Sequence, residues 1–256
     1  MSELDDKGIE AVFKIIRDGG YPFEVEPAAE ALSEIKDIKY FDSIIEFLSY
    51  TNTSVPDYVI ETVRSCAIKA LTNFDDPRVI EILIETIKDD SVLLSMRSSA
   101  IRAIVNVNDP RVVDILIETL EDNYAIEKDN LILRWNAIKA LGEVKDPRSI
   151  RTIIEVLSYC PNHIVKRETR KYVIDALEKF DKENVVDTLI EMLKNKDAKV
   201  REGVVWVLGR MKDSKSLGPL EDLYKTETDH RVLFELIYVI EQKKKEKEKK
   251  KKKVDE

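Results

Sequence analysis

The residues that most often carry chemistry are few and far apart in this chain: two histidines, His163 and His230, and two cysteines, Cys66 and Cys160, in 256 residues. A tetrahedral zinc site needs several such ligands at characteristic spacings, which these do not supply. A Ser/His/Asp or Cys/His relay has no support either. Asn162 precedes His163 and Asp229 precedes His230, so both histidines stand at expected helix starts, where capping or solvation is the ordinary role. No Gly-rich phosphate loop occurs, and Gly19-Gly20 before Tyr21-Pro22 reads as the end of one helix and the start of another. No catalytic residue, cofactor ligand or metal ligand is therefore assigned.

What would position any functional side chain is a repeated phrase. Asp76-Pro77-Arg78, Asp109-Pro110-Arg111 and Asp146-Pro147-Arg148 each precede an apolar run. Asp accepts hydrogen bonds from the free amides of a first helical turn, and Pro at the next position loses no intrahelical bond. The arginine is not needed for this and is expected to be solvated. Recurrence at about 30–40 residues points to stacked helix pairs.

Composition agrees. The chain is 43% apolar and 36% charged, with only seven Gly and eight Pro, which suits many amphipathic helices and argues against an all-β fold. The net charge is −8, but Gln242 to Glu256 carries nine lysines against four acids, leaving a body of charge −13. Such a body is a poor match for nucleic-acid phosphates. The cysteines lie at helical apolar positions, so a disulfide framework is not expected. No apolar run approaches the roughly 20 residues of a membrane span, and the expected location is cytoplasmic, without integral membrane association.

Laid over one another from Asp5, Asp37, Asp76, Asp109, Asp146, Lys182 and Asp213, the units share a stripe. Its fifth position reads Ile9, Phe41, Ile80, Val113, Ile150, Val186 and Leu217, its eighth Val12, Ile44, Leu83, Leu116, Ile153, Leu189 and Leu220. The twelfth reads Ile16, Leu48, Ile87, Leu120, Leu157, Leu193 and Tyr224, completing one helical face. A second helix in each unit is anchored on Arg64, Arg97, Arg134, Arg170, Arg201 or Arg231, with Val25 in the first unit. Small residues such as Ala67, Ala100 and Ala137 follow three positions on. The last unit substitutes Phe234, Ile237 and Tyr238, as a terminal unit with one neighbour commonly does. The expectation is an all-α fold, a right-handed alpha-alpha superhelix of about seven helical pairs. The units fall at 2–36, 37–75, 76–108, 109–145, 146–181, 182–212 and 213–241, followed by a lysine-rich tail over 242–256.

The pattern Asp-Pro-Arg, apolar helix, then Val63-Arg64-x-x-Ala67-x-x-Ala70-Leu71 resembles HEAT repeats, particularly the short kind of phycobilisome-lyase-like proteins, from Ser2 to Glu241. The resemblance is specific for architecture and leaves activity open, since such proteins include scaffolds, adaptors and a few enzymes. HEAT-like iron hydroxylases carry repeated His-Glu pairs, whereas neither histidine here is followed by Glu. A DNA-glycosylase-like role would have only Trp135, Trp206 and Asp175 to work with, against an acidic body. A lyase-like role rests on the resemblance alone.

The resemblance also implies that second helices line a concave side. Arg64, Lys69, Arg97, Arg102, Arg134 and Lys139 would then form a basic strip with Trp135 at its edge and Trp206 further along. Such a strip suits an acidic peptide or helix of another protein. The competing expectation is that the anchor arginines pair with nearby groups and cover seams between units. Glu46, Glu85, Glu118, Glu155, Glu191 and Asp222 form an acidic column on the first helices, read as a solvated face. Long turns at Ser49 to Pro56, Asp122 to Asn130 and Ser158 to Asn162 carry Tyr50, Tyr124 and Tyr159, with Tyr21 and Tyr58 nearby, as a second candidate binding edge. The run Lys243 to Lys253 is a solvated helical extension or a basic arm, the only expected route to nucleic acid. The reading is a protein-binding scaffold or adaptor, with a nucleic-acid-associated factor and a HEAT-like enzyme as alternatives.

Overall fold

In the computed structural model residues 5–122, 128–160 and 162–254 are described, and every regular element among them is helical. The helices pair in chain order. They are α1 (Asp6–Asp18) with α2 (Pro22–Leu32), α3 (Phe41–Glu46) with α4 (Asp57–Leu71), and α5 (Arg78–Lys88) with α6 (Leu94–Ala103). Then come α7 (Arg111–Asp122) with α8 (Lys128–Val144), and α9 (Ser149–Glu155) with α10 (His163–Leu177). The last are α11 (Lys182–Met192) with α12 (Ala198–Leu208) and α13 (Leu217–Thr226) with α14 (His230–Val254). The chain forms two compact units, residues 1–119 with 127–137 and residues 120–126 with 138–256. In the first, the second helices α2, α4 and α6 pack side by side; in the second, α12 packs against α14.

The stripe is the core. All seven residues at the eighth position are buried, and at the fifth only Leu217 is not. Each fully buried Leu or Ile contributes about 1.5–3 kcal/mol. The twelfth position departs twice. In the second pair Phe47 is buried in place of Leu48, because α3 tightens into a 3-10 turn over Phe47–Ser49 and rotates the register by one residue. In the last pair Tyr224 is exposed. There Phe234, Ile237 and Tyr238 are also exposed, Phe234 at 77%, while α14 buries Val232, Leu236, Val239 and Ile240 instead.

The Asp-Pro-Arg phrase starts helices, but its arginine is not idle. Asp76 Oδ1 accepts from the Arg78 amide at 2.8 Å, while Arg78 Nε and Nη2 close a fork on the same carboxylate. Arg78 Nη1 then reaches Asp42 of the preceding pair at 2.9 Å, and Arg111 repeats the fork on Asp109 and reaches Glu81 at 2.6 Å. Arg148 closes the same fork on Asp146, and Arg231 on Asp229. The solvated arginine expected from sequence is instead a clasp that holds its own cap and, at Arg78 and Arg111, the neighbouring repeat as well. The hydrogen bonds from Arg78 and Arg111 hold the carboxyls of Asp76 and Asp109 below the usual carboxylate range. In the sixth pair the capping acid is Asp181, one residue before the expected start, accepting from the Asn184 amide at 3.0 Å.

Two glycines are set by close approach rather than by a left-handed backbone. At Gly19, which ends α1, a Cβ would lie 2.3 Å from the Ile15 carbonyl oxygen and 2.9 Å from Val25. At Gly142 it would lie 2.8 Å from the Cα of Ala176, so α8 and α10 touch backbone to backbone there.

Candidate functional site

The anchor arginines of the expected basic strip are occupied in the fold. Arg64 Nε donates to the Tyr50 carbonyl at 2.9 Å, and Arg97 Nε donates to the Ile87 carbonyl at 2.9 Å while its Nη1 meets Asp90 at 2.6 Å. Each thus closes the turn inside its own pair by satisfying a carbonyl that the preceding helix leaves open. Arg134 is only 4% exposed. Arg201 forks onto Glu227 at 2.6 and 2.8 Å and also donates to the Asn195 and Lys196 carbonyls. Sequence gave no sign of these carbonyl partners, since a backbone acceptor has no residue type.

The charges further along the second helices divide. Lys69 is exposed but engaged by Glu34 at 3.3 Å and by the Ser33 hydroxyl at 3.2 Å. Arg102 is exposed and donates only to the Ser99 hydroxyl, at 2.9 Å, with no carboxylate partner among the described residues. Lys139 is exposed and lies in the second compact unit. Trp135 is half-buried, whereas Trp206 is only 7% exposed, held between the guanidinium groups of Arg170 and Arg210 at 4.4 and 3.8 Å from its ring.

Around Arg102 the first unit opens a groove of about 530 Å3. Its apolar wall is Leu93, Leu94 and Ile132, with Leu93 and Ile132 exposed. Its polar floor is Ser65, Ser95, Ser98 and Ser99, and the Ser95 and Ser98 hydroxyls are buried without a hydrogen-bond partner among the described residues. Glu61 is its single acid. Of these lining groups Arg102 is a binding residue expected from sequence, and the serine floor is not. Its signal was the run Ser95-Met96-Arg97-Ser98-Ser99, the one second helix with three serines in a turn and a half.

The tyrosine edge is uneven. Tyr50 is buried beneath its own turn, where Asn52 ties the segment to the Gly19 carbonyl at 3.0 Å. Tyr159, Tyr21 and Tyr58 are exposed, Tyr21 stacking on Phe23, and Tyr124 lies outside the described residues. The acidic column is not a bare face: Glu46 pairs with Arg17, Glu118 with Lys88 and Glu191 with Arg151, and burial pushes the Glu155 carboxyl up. Burial likewise pushes the Cys66 thiol up. Asp175 is exposed, and the described cavities are not lined by it, Trp135 or Trp206. No group of three or more His, Cys, Asp or Glu side chains gathers as for a metal among the described residues, and no helix there is long and apolar enough to cross a membrane.

The lysine run begins inside the fold. Helix α14 continues through it, and Lys243, 4% exposed at its side chain, places its Nζ 2.7 Å from Asp213 and 3.0 Å from the Met211 carbonyl. Lys244 pairs with Glu221 at 2.7 Å.

Helix pairs clasped at their starts, with small residues in the seams, define an α-helical repeat protein. A family profile described as HEAT repeats matches residues 61–132, 95–169 and 165–241, and the chain belongs to that family. None of the curated proteins compared matches it. Among solved structures, the chain is similar to human deoxyhypusine hydroxylase in complex with glycerol. The two are 17% identical over 94% of this chain and 86% of that one, with a TM-score of 0.34, too low to bear on activity here.

Proposed function

We propose that this protein is a non-catalytic scaffold or adaptor that holds a segment of another protein in the groove of its first unit. The observation that carries the reading is the composition of that groove: an exposed Leu93/Ile132 wall beside Arg102, a cation without a carboxylate partner among the described residues, over two buried hydroxyls that lack partners. Apolar area supplies the attraction, and an exposed guanidinium together with serine hydroxyls selects an acceptor-rich, acidic segment. HEAT-family membership is consistent with such a role.

The test is affinity capture from native lysate with the full chain, followed by reconstitution with the purified partner. Arg102→Glu and the pair Leu93→Ala with Ile132→Ala are expected to lose that partner by at least about tenfold, or 1.4 kcal/mol. Lys139→Glu, in the other unit, is expected to keep it. Recovery of the same partners by all three variants would mean that the groove is not the docking site.

A further inference from the structure

The second unit contains a cavity of about 430 Å3, half of whose lining residues are Lys or Arg. Lys166, Arg167 and Arg170 come from the N-terminal half of α10, Lys199 and Glu202 from the start of α12, and Arg231 from the start of α14. The starts of α12 and α14 and the first half of α10 therefore contribute to one recess, their first-turn amides taken by the caps Asn162, Asp197 and Asp229. In a body of net charge −13 this is a local inversion of sign.

The acids around it, the α12 cap Asp197 among them, are shared or already engaged. Lys166 Nζ and Arg170 Nη2 share one carboxylate, Glu202, at 2.6 and 3.7 Å. Arg167 leans on Glu168 at 3.2 Å and Arg231 is forked onto Asp229, while Lys199 has no partner among the described residues. Behind the wall, Arg170 lies 4.4 Å from the Trp206 ring, with its Nε buried and unbonded. Glu235 faces the same group, and burial pushes its carboxyl up. Cations that are stacked, half-buried and sharing one carboxylate form a preorganised receptor for a compact anion with several acceptor oxygens.

We propose that this recess binds a phosphate dianion, presented as a phosphomonoester or as free phosphate, with Lys166, Arg170 and Lys199 contacting its oxygens. The site is separate from the first-unit groove and does not depend on the adaptor reading.

The experiment uses the full chain carrying Trp135→Phe, so that Trp206, stacked on Arg170, is the sole tryptophan reporter. Inorganic phosphate and O-phosphoserine are titrated at constant ionic strength, with sodium chloride and sodium acetate as controls. Saturable one-to-one binding is expected, weakened by about tenfold or more in Lys199→Glu and unchanged in Lys139→Glu. Phosphorus NMR line broadening of the same two probes with the unsubstituted chain gives the same readout without a tryptophan change. Tighter binding of O-phosphoserine identifies the ligand as a phosphomonoester side chain, and equal binding identifies free phosphate. Non-saturable titrations, a response reproduced by acetate, or Lys199→Glu and Arg167→Glu both titrating as the parent chain would overturn the proposal. First-unit partner capture is expected to be unaffected by Lys199→Glu, so the two readings fail separately.

Discussion

An arginine at the start of a second helix has a different occupation in each repeat, set by the acceptor that faces it. Arg64 meets a carbonyl, Arg97 a carbonyl and a surface acid, and Arg201 the carboxylate of Glu227, which is only 2% exposed. Glu227 also accepts from the Thr228 and Asp229 amides at 2.8 and 2.9 Å, and the Arg201 hydrogen bonds lead in drawing its pKa down from 4.5 to about 2. A carboxyl lowered by folding stabilises the folded state fully above its unfolded value and loses that contribution as pH falls through the folded one. Stability is therefore expected to decline between about pH 4.5 and 2. Glu227→Gln should cost about 1–3 kcal/mol at neutral pH by leaving the partly buried Arg201 without its carboxylate, and should flatten the decline. Urea melts from pH 2 to 7 measure both; superimposable curves for the two chains would show that the pair contributes nothing. The clasp partners Asp42 and Glu81 are on the surface, and each such pair contributes only about 0–1 kcal/mol.

Helix against helix, the decisive contact is Gly142 on Ala176. Alanine usually improves a helix interior over glycine by about 1 kcal/mol. At Gly142 the added methyl would press on the backbone of α10, so Gly142→Ala is expected to destabilise by about 1–3 kcal/mol through overpacking. Gly218 in α13, where a Cβ meets nothing within 4 Å, should respond to the same change with a gain of up to about 1 kcal/mol. Thermal melts showing shifts of the same sign at both positions would refute the packing argument. The helices themselves were legible because the burial period is local: Leu83, Leu116 and Ile153 fall at one register position and all are buried. The slip to Phe47 was not legible, because a 3-10 turn changes register without changing composition. The site was half legible. Arg102 stood out as a charge on a repeating position, but the roles of Arg64 and Arg97 depend on carbonyls that the fold alone brings near.

Across the whole molecule, the acidic body and the basic end are joined by a buried ion pair. Burial works against ionisation of Asp213, but hydrogen bonds from Lys243 and from the Ser216 amide outweigh it and keep the carboxyl below its usual range. A chain ended after Lys245 is expected to melt within about 0.5 kcal/mol of the full one, since Glu246, Lys247, Glu248 and Lys249 are exposed. A chain ended after Glu241 loses Lys243, strands Asp213, and should be destabilised by about 3–5 kcal/mol. Equal melts for the two truncations would remove Lys243 from the fold's essential contacts. The same pair of chains tests nucleic-acid association, because retention at moderate salt by the chain ended after Lys245 would place it outside the lysine run.

Lys243 also differs from its neighbours as a nucleophile. An amine must be exposed to be acylated, and this one is enclosed by Asp213 and the Met211 carbonyl. Enzymes or reagents that modify lysine side chains would meet Lys245, Lys247 and Lys249 on the open surface, while Lys243 becomes reactive only when the last helix lifts from Met211 and Asp213. Its rate of modification is a clock for that opening, and a modification there would lock the end of the chain in its detached form.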